Sequence, residues 1–285
     1  MAGSSGSGVV LITGASTGIG RACAEHLDSL GFIVLAGVRS PADAEALSAV
    51  GSERLRPVTL DVTDADSIAT AWDTVELAAP LGLAGLVNNA GVARGGPVEL
   101  VPLEEWREQL EVNLIGAIAV TQAMLPALRR ARGRVVNITS IGGRLATPFL
   151  GPYNASKFAL EAVNDALRGE LRQFGVEVVA IEPGAVATPI WDKARRTADE
   201  FTARTSAEAL ELYSSGIDAA RKAIADSERA GIPPREVAVE VARALTARRP
   251  RTHYVIGRDA RMRLLLSKVL PTRTMDRLVA RVLGI

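Results

Sequence analysis

Cysteine, histidine and lysine are all scarce in this chain of 285 residues. The single cysteine, Cys23, excludes an internal disulfide. The two histidines, His26 and His253, lie far apart in sequence, and no spacing typical of a metal site occurs, so we interpret both as structural and predict no metal. Without a disulfide framework or a signal-like apolar stretch, a reducing cytoplasm is the simplest location.

Net charge is low as well, because 33 basic residues nearly balance 32 acidic ones. A formal charge of +1 gives no overall electrostatic reason to bind nucleic acid. Among the basic residues lysine is rare, with four lysines beside 29 arginines. A lysine within a motif is therefore unusual in this chain, where most basic positions are arginine.

Apolar β-branched runs alternate with amphipathic segments from Val9 onward, after a small and flexible N-terminal tail at 1–8. The pattern predicts strands at 9–13, 32–36, 57–60, 85–88, 134–139, 176–181 and 253–256. Continuous apolar strands separated by helices are typical of a parallel sheet covered on both faces. We therefore predict an α/β fold: a doubly wound parallel sheet of about seven strands with helices on both faces, in one domain at 9–257.

The first predicted strand runs into the segment TGASTGIG at 13–20, which a helical pattern follows. Its glycines at 14, 18 and 20 allow a tight turn, and the helix N-terminus offers free N–H groups, so an anion fits there. The spacing GxxxGxG is weak alone, because glycine turns also join strands to helices for purely structural reasons. The strand before it and the helix after it favour a phosphate site.

Tyr153 and Lys157 stand four residues apart at the start of a run with helical spacing, so both share one helix face. A neighbouring ammonium lowers the pKa of a phenol and prepares it for proton exchange with an alcohol or carbonyl. Ser140, just after a predicted strand, could hold the substrate oxygen. The alternative is a surface pair on an amphipathic helix, which the scarcity of lysine disfavours.

Together these motifs resemble the short-chain dehydrogenase/reductase family over about residues 9–257. The resemblance rests on TGASTGIG, Asn88-Asn89-Ala90-Gly91, Asn113, Ser140, Tyr153, Lys157 and Pro183-Gly184, which occur in the family's order. It implies a Rossmann-type fold, an NAD or NADP cofactor and an oxidoreductase. The finer similarity is to members that act on hydrophobic alcohols, such as retinol or hydroxysteroid dehydrogenases.

The resemblance also implies the catalytic roles. Tyr153 exchanges a proton with the substrate oxygen, Ser140 steadies that oxygen, and Lys157 lowers the pKa of the tyrosine and anchors the nicotinamide ribose. Asn113 holds a water that links the lysine to solvent. This asparagine interrupts an apolar helical run, where an amide without partners would be costly, and that favours a functional role.

The cofactor site that the resemblance implies draws on the ends of five predicted strands and on the start of the helix with Tyr153. Its members are Gly14, Ser16, Gly18, Ile19, Gly20, Arg39, Asp61, Val62, Asn89, Ala90, Gly91, Tyr153, Lys157, Pro183, Gly184, Val186 and Thr188. Val38 stands where NAD-selective relatives carry an acid, and Arg39 follows it, so we predict NADP(H) over NAD(H). The alternative remains open, because several relatives with a neutral residue there use NAD.

Residues 187–232 match the family's substrate lid, and the sequence past Gly257 is a basic amphipathic extension at 258–285. Apolar residues around Tyr153 predict a hydrophobic substrate pocket formed by Leu145, Phe149, Leu150 and Trp191. The alternative is that these residues only pack the lid on the core. In the extension seven basic residues face two acidic ones, so it could lie on an anionic membrane, cover a neighbouring subunit or close the substrate mouth.

We favour the last two uses of the extension, because none of its apolar runs reaches the ~20 residues that cross a bilayer. A homodimer or homotetramer is therefore expected, with a peripheral membrane contact left open. For the activity we predict interconversion of a hydrophobic alcohol and its carbonyl. The alternatives are a 3-oxoacyl thioester reductase, which the long extension disfavours, and a nucleotide-sensing protein without turnover, which the Ser140, Tyr153 and Lys157 set disfavours.

Overall fold

A parallel sheet with seven strands forms the centre of the molecule in a computed structural model, which describes residues 8–283 and all their side chains except those at 193, 227, 282 and 283. The strand order is β3-β2-β1-β4-β5-β6-β7. The bounds are β1 Val9–Ile12, β2 Ile33–Val38, β3 Leu55–Thr59, β4 Gly85–Asn88, β5 Arg134–Ile138, β6 Glu177–Pro183 and β7 His253–Ile256.

Helices follow the strands and cover both faces of this sheet. They are α1 Gly18–Ser29, α2 Pro41–Ser48, α3 Ala65–Ala78, α4 Leu103–Leu110, α5 Gly116–Ala131, α6 Gly151–Leu171, α7 Ile190–Arg204, α8 Ala207–Ala230, α9 Pro234–Thr246, α10 Arg258–Val269 and α11 Thr272–Leu283. A π turn at Glu111–Ile115 joins α4 to α5. The predicted doubly wound α/β fold is confirmed.

Two apolar cores lie on opposite faces of the sheet because successive strand side chains alternate between them. On one face Leu27 of α1 and Val241 of α9 pack against Val10 and Ile12. The other face carries α3, α5 and α6, where Met124 packs with its neighbours against Leu11. Central strands such as β1 are buried on both sides, which explains why the sequence reads as continuous apolar runs.

The strand ends differ from the prediction by one to two residues. β2 continues to Val38, because Gly37 and Val38 keep their parallel pairing with Val58 and Thr59. β3 begins at Leu55, where the exposed Arg56 had interrupted the apolar pattern. Strand order reverses between β1 and β4, and a ligand crevice is expected at the carboxyl ends of the strands there.

The predicted lid comprises α7 and α8, and its two ends meet. Ala187 N donates to Ile232 O at 3.0 Å, and Ile232 N donates to Ala185 O at 3.0 Å, so the segment is closed at its base. The C-terminal extension forms α10, which follows β7 directly, and α11, which contacts α8 of the lid.

One continuous helix in the described part of the chain, Leu103–Ala131, is long and apolar enough to cross a membrane by length and composition. It comprises α4, the π turn and α5, and 39% of its most apolar window is buried. Val120 and Met124 on this helix pack into the core beneath the sheet. Within residues 8–283, neither α10 nor α11 meets the same criterion.

Candidate active site

The glycine-rich turn between β1 and α1 has the conformation that the motif predicts. Gly14 has φ +65° and Gly18 has φ +58°, values in the left-handed region that favours glycine. A Cβ at Gly20 would overlap Gly14 O and the Asn89 amide nitrogen. Gly20 therefore packs α1 against the strand ends and does not line the cleft, which differs from its predicted contact with the cofactor.

A short hydrogen-bonded brace joins the ends of β1 and β4 at the crevice. The Thr13 hydroxyl accepts from the backbone N–H groups of Asn89 and Ala90, both at 3.0 Å. The Asn89 side chain donates to Thr13 O at 3.0 Å and to Gly14 O at 2.9 Å. Asn88, in contrast, is buried below the crevice, where its amide donates to Asn137 Oδ1 at 2.7 Å.

A cleft of about 430 Å³ opens at these strand ends. Every predicted cofactor residue except Gly20 lines it. Further residues line it that were not predicted, among them Gly37, Leu60, Thr63, Val92, Ile138, Thr139 and Ile190. Most of these stand at or just after a strand end, so the rule that ligands bind at the carboxyl ends of parallel strands would have found them.

The cleft fits a dinucleotide in shape and charge. Two glycines with positive φ leave the floor open, and the first residues of α1, Gly18 and Ile19, line it at a helix N-terminus, which favours an anion. At the far end Arg39 is exposed and makes no hydrogen bond or ion pair with the residues at 8–283, so its guanidinium is available to an anion. Nearby, Thr63 hydrogen bonds hold the pKa of the Asp61 carboxyl below its usual range, which keeps that carboxylate ionised.

Ser140, Tyr153 and Lys157 come together at the inner end of the cleft. Tyr153 and Lys157 occupy the first turns of α6, and the lysine Nζ lies 5.9 Å from the centre of the tyrosine ring. Lys157 Nζ donates to Ile138 O at 2.8 Å. A Cβ at Gly142 would lie 3.2 Å from Tyr153 Cε1 and 3.3 Å from Ser140 Oγ, so a glycine there allows the close approach of both.

The expected lowering of the tyrosine pKa is not found. Burial raises the pKa of Tyr153, and a hydrogen bond with the Ser140 hydroxyl works against that rise. Burial lowers the pKa of Lys157 to about 8, opposed by the negative charge of Glu161. The predicted direction of the tyrosine pKa shift was wrong. Desolvation of the phenol outweighs the electrostatic effect of Lys157, because the lysine ammonium is directed at Ile138 O.

Asn113 lies within the π turn, a local distortion that is frequent at functional sites. Its Oδ1 accepts from Val92 N at 2.8 Å, and its Nδ2 donates to Val92 O at 3.0 Å and to Ser156 Oγ at 3.2 Å. The side chain thus ties the loop after β4 to α6. This explains a buried amide in an apolar run, while the role of holding a water stays a prediction.

A second cavity, of about 420 Å³, adjoins the cleft, and Ser140, Tyr153, Gly184 and Trp191 line both. Of the predicted substrate residues, Phe149, Leu150 and Trp191 line this cavity, whereas Leu145 is half-buried and lines neither. The apolar faces of the lid, among them Phe201 and Ile217, line this cavity as expected, and Ile224, Leu266, Met275 and Leu278 add lining residues that were not predicted individually.

One close contact fixes the lid above this cavity. Phe149 has φ +65°, an uncommon conformation for a bulky residue, and its ring rests on Gly216 of α8. A Cβ at Gly216 would overlap the ring, so the glycine allows this close contact without a shift of the Phe149 side chain.

A profile of the short chain dehydrogenase family matches residues 8–199. The chain belongs to that family. It is an oxidoreductase of the class that acts on CH–OH groups, as the Ser140, Tyr153 and Lys157 cluster had indicated.

Three characterised relatives match nearly the whole chain. It is 35% identical to an NADPH-dependent 3-dehydrocapnine reductase of Ornithobacterium rhinotracheale, over 94% of each protein. It is 39% identical to human retinol dehydrogenase 16, over 94% of this chain and 86% of that protein. It is also 39% identical to 17-beta-hydroxysteroid dehydrogenase type 6 of Bos taurus, over 95% of this chain and 87% of that protein.

Two solved structures share the fold and were determined with different cofactors. A short chain dehydrogenase of Burkholderia cenocepacia in complex with NADP superposes with a TM-score of 0.73 at 27% identity, over 97% of each chain. A short chain dehydrogenase/reductase of Burkholderia phymatum in complex with NAD gives a TM-score of 0.77 at 25% identity, over 93% of this chain and 95% of that one. The fold therefore accommodates either dinucleotide.

Proposed function

We propose that this protein interconverts a hydrophobic alcohol and its carbonyl, with NADP(H) preferred over NAD(H). The observation that carries the proposal is the position of Tyr153, which lines both the polar cleft and the apolar cavity. A dinucleotide in the cleft and an apolar substrate in the cavity would therefore meet at its ring. The cleft alone would serve a nucleotide sensor equally well, but the adjoining cavity gives the phenol a reaction partner.

Each of the three side chains has a role that follows from its surroundings. When bound, NAD(P)(H) supplies or accepts the hydride. Tyr153 exchanges the proton with the substrate oxygen, and because burial raises the pKa of its phenol it is a ready donor in the reducing direction. Ser140 stands beside it to donate a hydrogen bond to the same oxygen as its charge develops. Lys157, with its pKa lowered to about 8, is poised to return a proton to the phenol near neutral pH.

Substrate preference follows from the composition of the cavity. Aromatic and aliphatic side chains from α7, α8, α10 and α11 form much of its walls, beside the charged Arg221, Asp259 and Arg263, so a long or polycyclic apolar group gains most by entering. The relatives named for retinol, a hydroxysteroid and 3-dehydrocapnine support an apolar alcohol or carbonyl. We place the apolar body of the substrate under the lid and its oxygen at Tyr153.

The preference for NADP(H) rests on the end of β2. Val38 offers no carboxylate to hold the ribose hydroxyls of NAD or to repel a 2′-phosphate. The exposed Arg39 guanidinium beside it suits a phosphate. The relative named as NADPH-dependent supports the same preference.

The C-terminal extension, in this proposal, closes the mouth of the substrate cavity. Leu266 of α10 and Met275 and Leu278 of α11 turn toward that cavity. The outer face of α10 exposes Met262, Leu265 and Val269, and we assign this apolar stripe to contact with a second copy of the chain. Light scattering should then give a mass above that of a monomer, which falls on truncation after Gly257. Co-sedimentation with anionic liposomes would instead assign the stripe to a cytoplasmic membrane surface.

A substrate panel tests the function as a whole. The purified protein is offered retinoids, steroids, long-chain aliphatic alcohols and ketones, and acyl thioesters, and nicotinamide absorbance is followed with each cofactor. We expect turnover with at least one apolar alcohol or ketone and higher kcat/KM with NADP(H). Turnover with 3-oxoacyl thioesters alone would contradict the substrate class, and nucleotide binding without any turnover would contradict the enzymatic role.

A further inference from the structure

Three residues from distant parts of the sequence meet behind the active site, on the sheet face that α6 covers. Ala180 of β6 pairs with His253 of β7, and Glu182 lies two residues beyond Ala180, so both side chains share this face. Glu161 of α6 lies above them, one helical turn after Lys157. One ligand atom from each of Glu161, Glu182 and His253 lies within 4.8 Å of the others.

The two carboxylates are deeply buried but poorly partnered. Glu161 is 8% exposed and Glu182 is 1% exposed. Both oxygens of Glu161 and Oε2 of Glu182 have no hydrogen-bond donor among the described residues. The other oxygen of Glu182 pairs with Arg144 Nη1 at 3.1 Å, and within residues 8–283 Glu161 has no arginine or lysine partner. Buried carboxylate oxygens without partners are costly, and a bound cation would satisfy these three.

The distances to the imidazole favour a metal over hydrogen bonds. His253 Nε2 lies 3.5 Å from Glu161 Oε2 and 3.8 Å from Glu182 Oε1. Both separations exceed the usual limit of about 3.2 Å for an N–H to oxygen hydrogen bond. A tetrahedral ion with bonds of about 2.0–2.1 Å places its ligand atoms roughly 3.4 Å apart, somewhat less than these two separations, so the side chains would move slightly toward the ion.

We propose that Glu161, Glu182 and His253 bind one divalent cation of the zinc type. Two carboxylates and one imidazole form a ligand set that suits Zn²⁺ or Mn²⁺, whereas Mg²⁺ prefers oxygen ligands alone. The imidazole side chain is 26% exposed and gives the ion a path from solvent.

Such an ion would join α6, β6 and β7 directly behind the catalytic helix. None of its three ligands lines the cleft, so we assign the ion the role of fixing α6, and it reaches the active site only through the charge of Glu161 near Lys157. The sequence interpretation of His253 as structural would then be incomplete. No spacing rule could reveal the site, because its ligands come from three separate elements.

Isothermal titration of the metal-stripped, tag-free full chain with ZnCl₂ tests the proposal, with MgCl₂ as the comparison ion. We expect one Zn²⁺ per chain, a rise in Tm with Zn²⁺ and no measurable binding of Mg²⁺. Glu182→Gln and His253→Ala should each weaken Zn²⁺ binding by more than the about 10- to 100-fold that loss of a residue supporting a metal ligand costs. The second variant alters a partly exposed side chain and guards against a folding defect in the first.

Matched controls separate this site from others on the chain. His26→Ala removes the other histidine, and Glu177→Gln removes an exposed carboxylate on the same strand as Glu182; both should bind Zn²⁺ as the wild type does. A wild type that takes up no Zn²⁺ would overturn the proposal and leave a shared proton to neutralise the carboxylates. Binding unchanged in His253→Ala and Glu182→Gln would overturn it as well, because the ion would then lie elsewhere.

Discussion

The two cavities that meet at Tyr153 are almost equal in volume, about 430 Å³ and 420 Å³, yet they are built in different ways. The cofactor cleft is formed by strand ends and a glycine turn, where backbone conformation and close packing dictate the residue type. The substrate cavity is enclosed by lid and extension helices, which need only be apolar. A site for a dinucleotide therefore has a recognisable sequence motif, whereas a site for an apolar substrate has only a weak one.

We expect nucleotide binding in the cleft to be lost abruptly when a side chain is added where backbone groups pack closely. Gly20→Val would insert a side chain between Gly14 O and the Asn89 amide and so displace the turn. We expect nucleotide affinity to fall by about 100-fold, or roughly 2.7 kcal/mol, measured by fluorescence titration. Gly169→Ala is the control, because that glycine on α6 has open space around it. Nucleotide binding that survives Gly20→Val would show that the tight turn is not what holds the phosphates.

Burial of the Lys157 ammonium at the cleft lowers the stability of the folded protein. Its folded pKa of about 8 lies below the usual 10.5, so between those values the unfolded chain binds a proton that the folded chain does not. The free energy of unfolding therefore rises with pH across that window and carries a constant penalty below about 8. We expect Lys157→Met to be inactive but more stable at pH 7, by at most about 3 kcal/mol.

Urea unfolding of the nucleotide-free protein at pH 7 and pH 10 measures this difference, which should shrink at the higher pH. The exposed Lys222→Met serves as the control and should change stability little at either pH. An equal loss of stability at both pH values in Lys157→Met would contradict the account. It would mean that the hydrogen bond to Ile138 O outweighs the burial of charge.

Cofactor choice is expected to depend on one exposed side chain. Arg39→Ala should reduce kcat/KM for NADP(H) by about 1.5–3 kcal/mol, the range for a hydrogen bond to a charged group, and leave the value for NAD(H) nearly unchanged. Equal losses with both cofactors, or a wild type that prefers NAD(H), would remove Arg39 from the phosphate site.

The cavity should respond gradually, in contrast to the cleft. Leu266→Ala and Met275→Ala each remove apolar wall, so KM for an apolar substrate should rise by about 5- to 10-fold, or roughly 1 kcal/mol, with kcat little changed. Leu212→Ala on the lid is the control, since that leucine is 77% exposed and lines neither cavity. A loss of kcat at constant KM would place these residues in the reaction and not in substrate binding.

Features of this molecule could be predicted from the sequence where they depend on residues close together in the chain. The sheet, the glycine turn and the pairing of Tyr153 with Lys157 depend on neighbours a few residues apart, and the patterns predicted them correctly. The contact of Phe149 with Gly216 and the cluster at His253 depend on packing between distant elements, which no local pattern encodes. The direction of the Tyr153 pKa was wrong for the same reason, because burial is a property of the folded molecule.

The central claim is that the Tyr153 hydroxyl, which lies where the two cavities meet, exchanges the proton with the substrate oxygen. Tyr153→Phe keeps the ring and removes only that hydroxyl, so we measure its kcat on the best substrate of the panel together with its nucleotide affinity. The account predicts that kcat falls by about 10²-fold or more, the scale of general acid–base catalysis, while nucleotide affinity stays within a few-fold of the wild type. Turnover comparable to the wild type would contradict it.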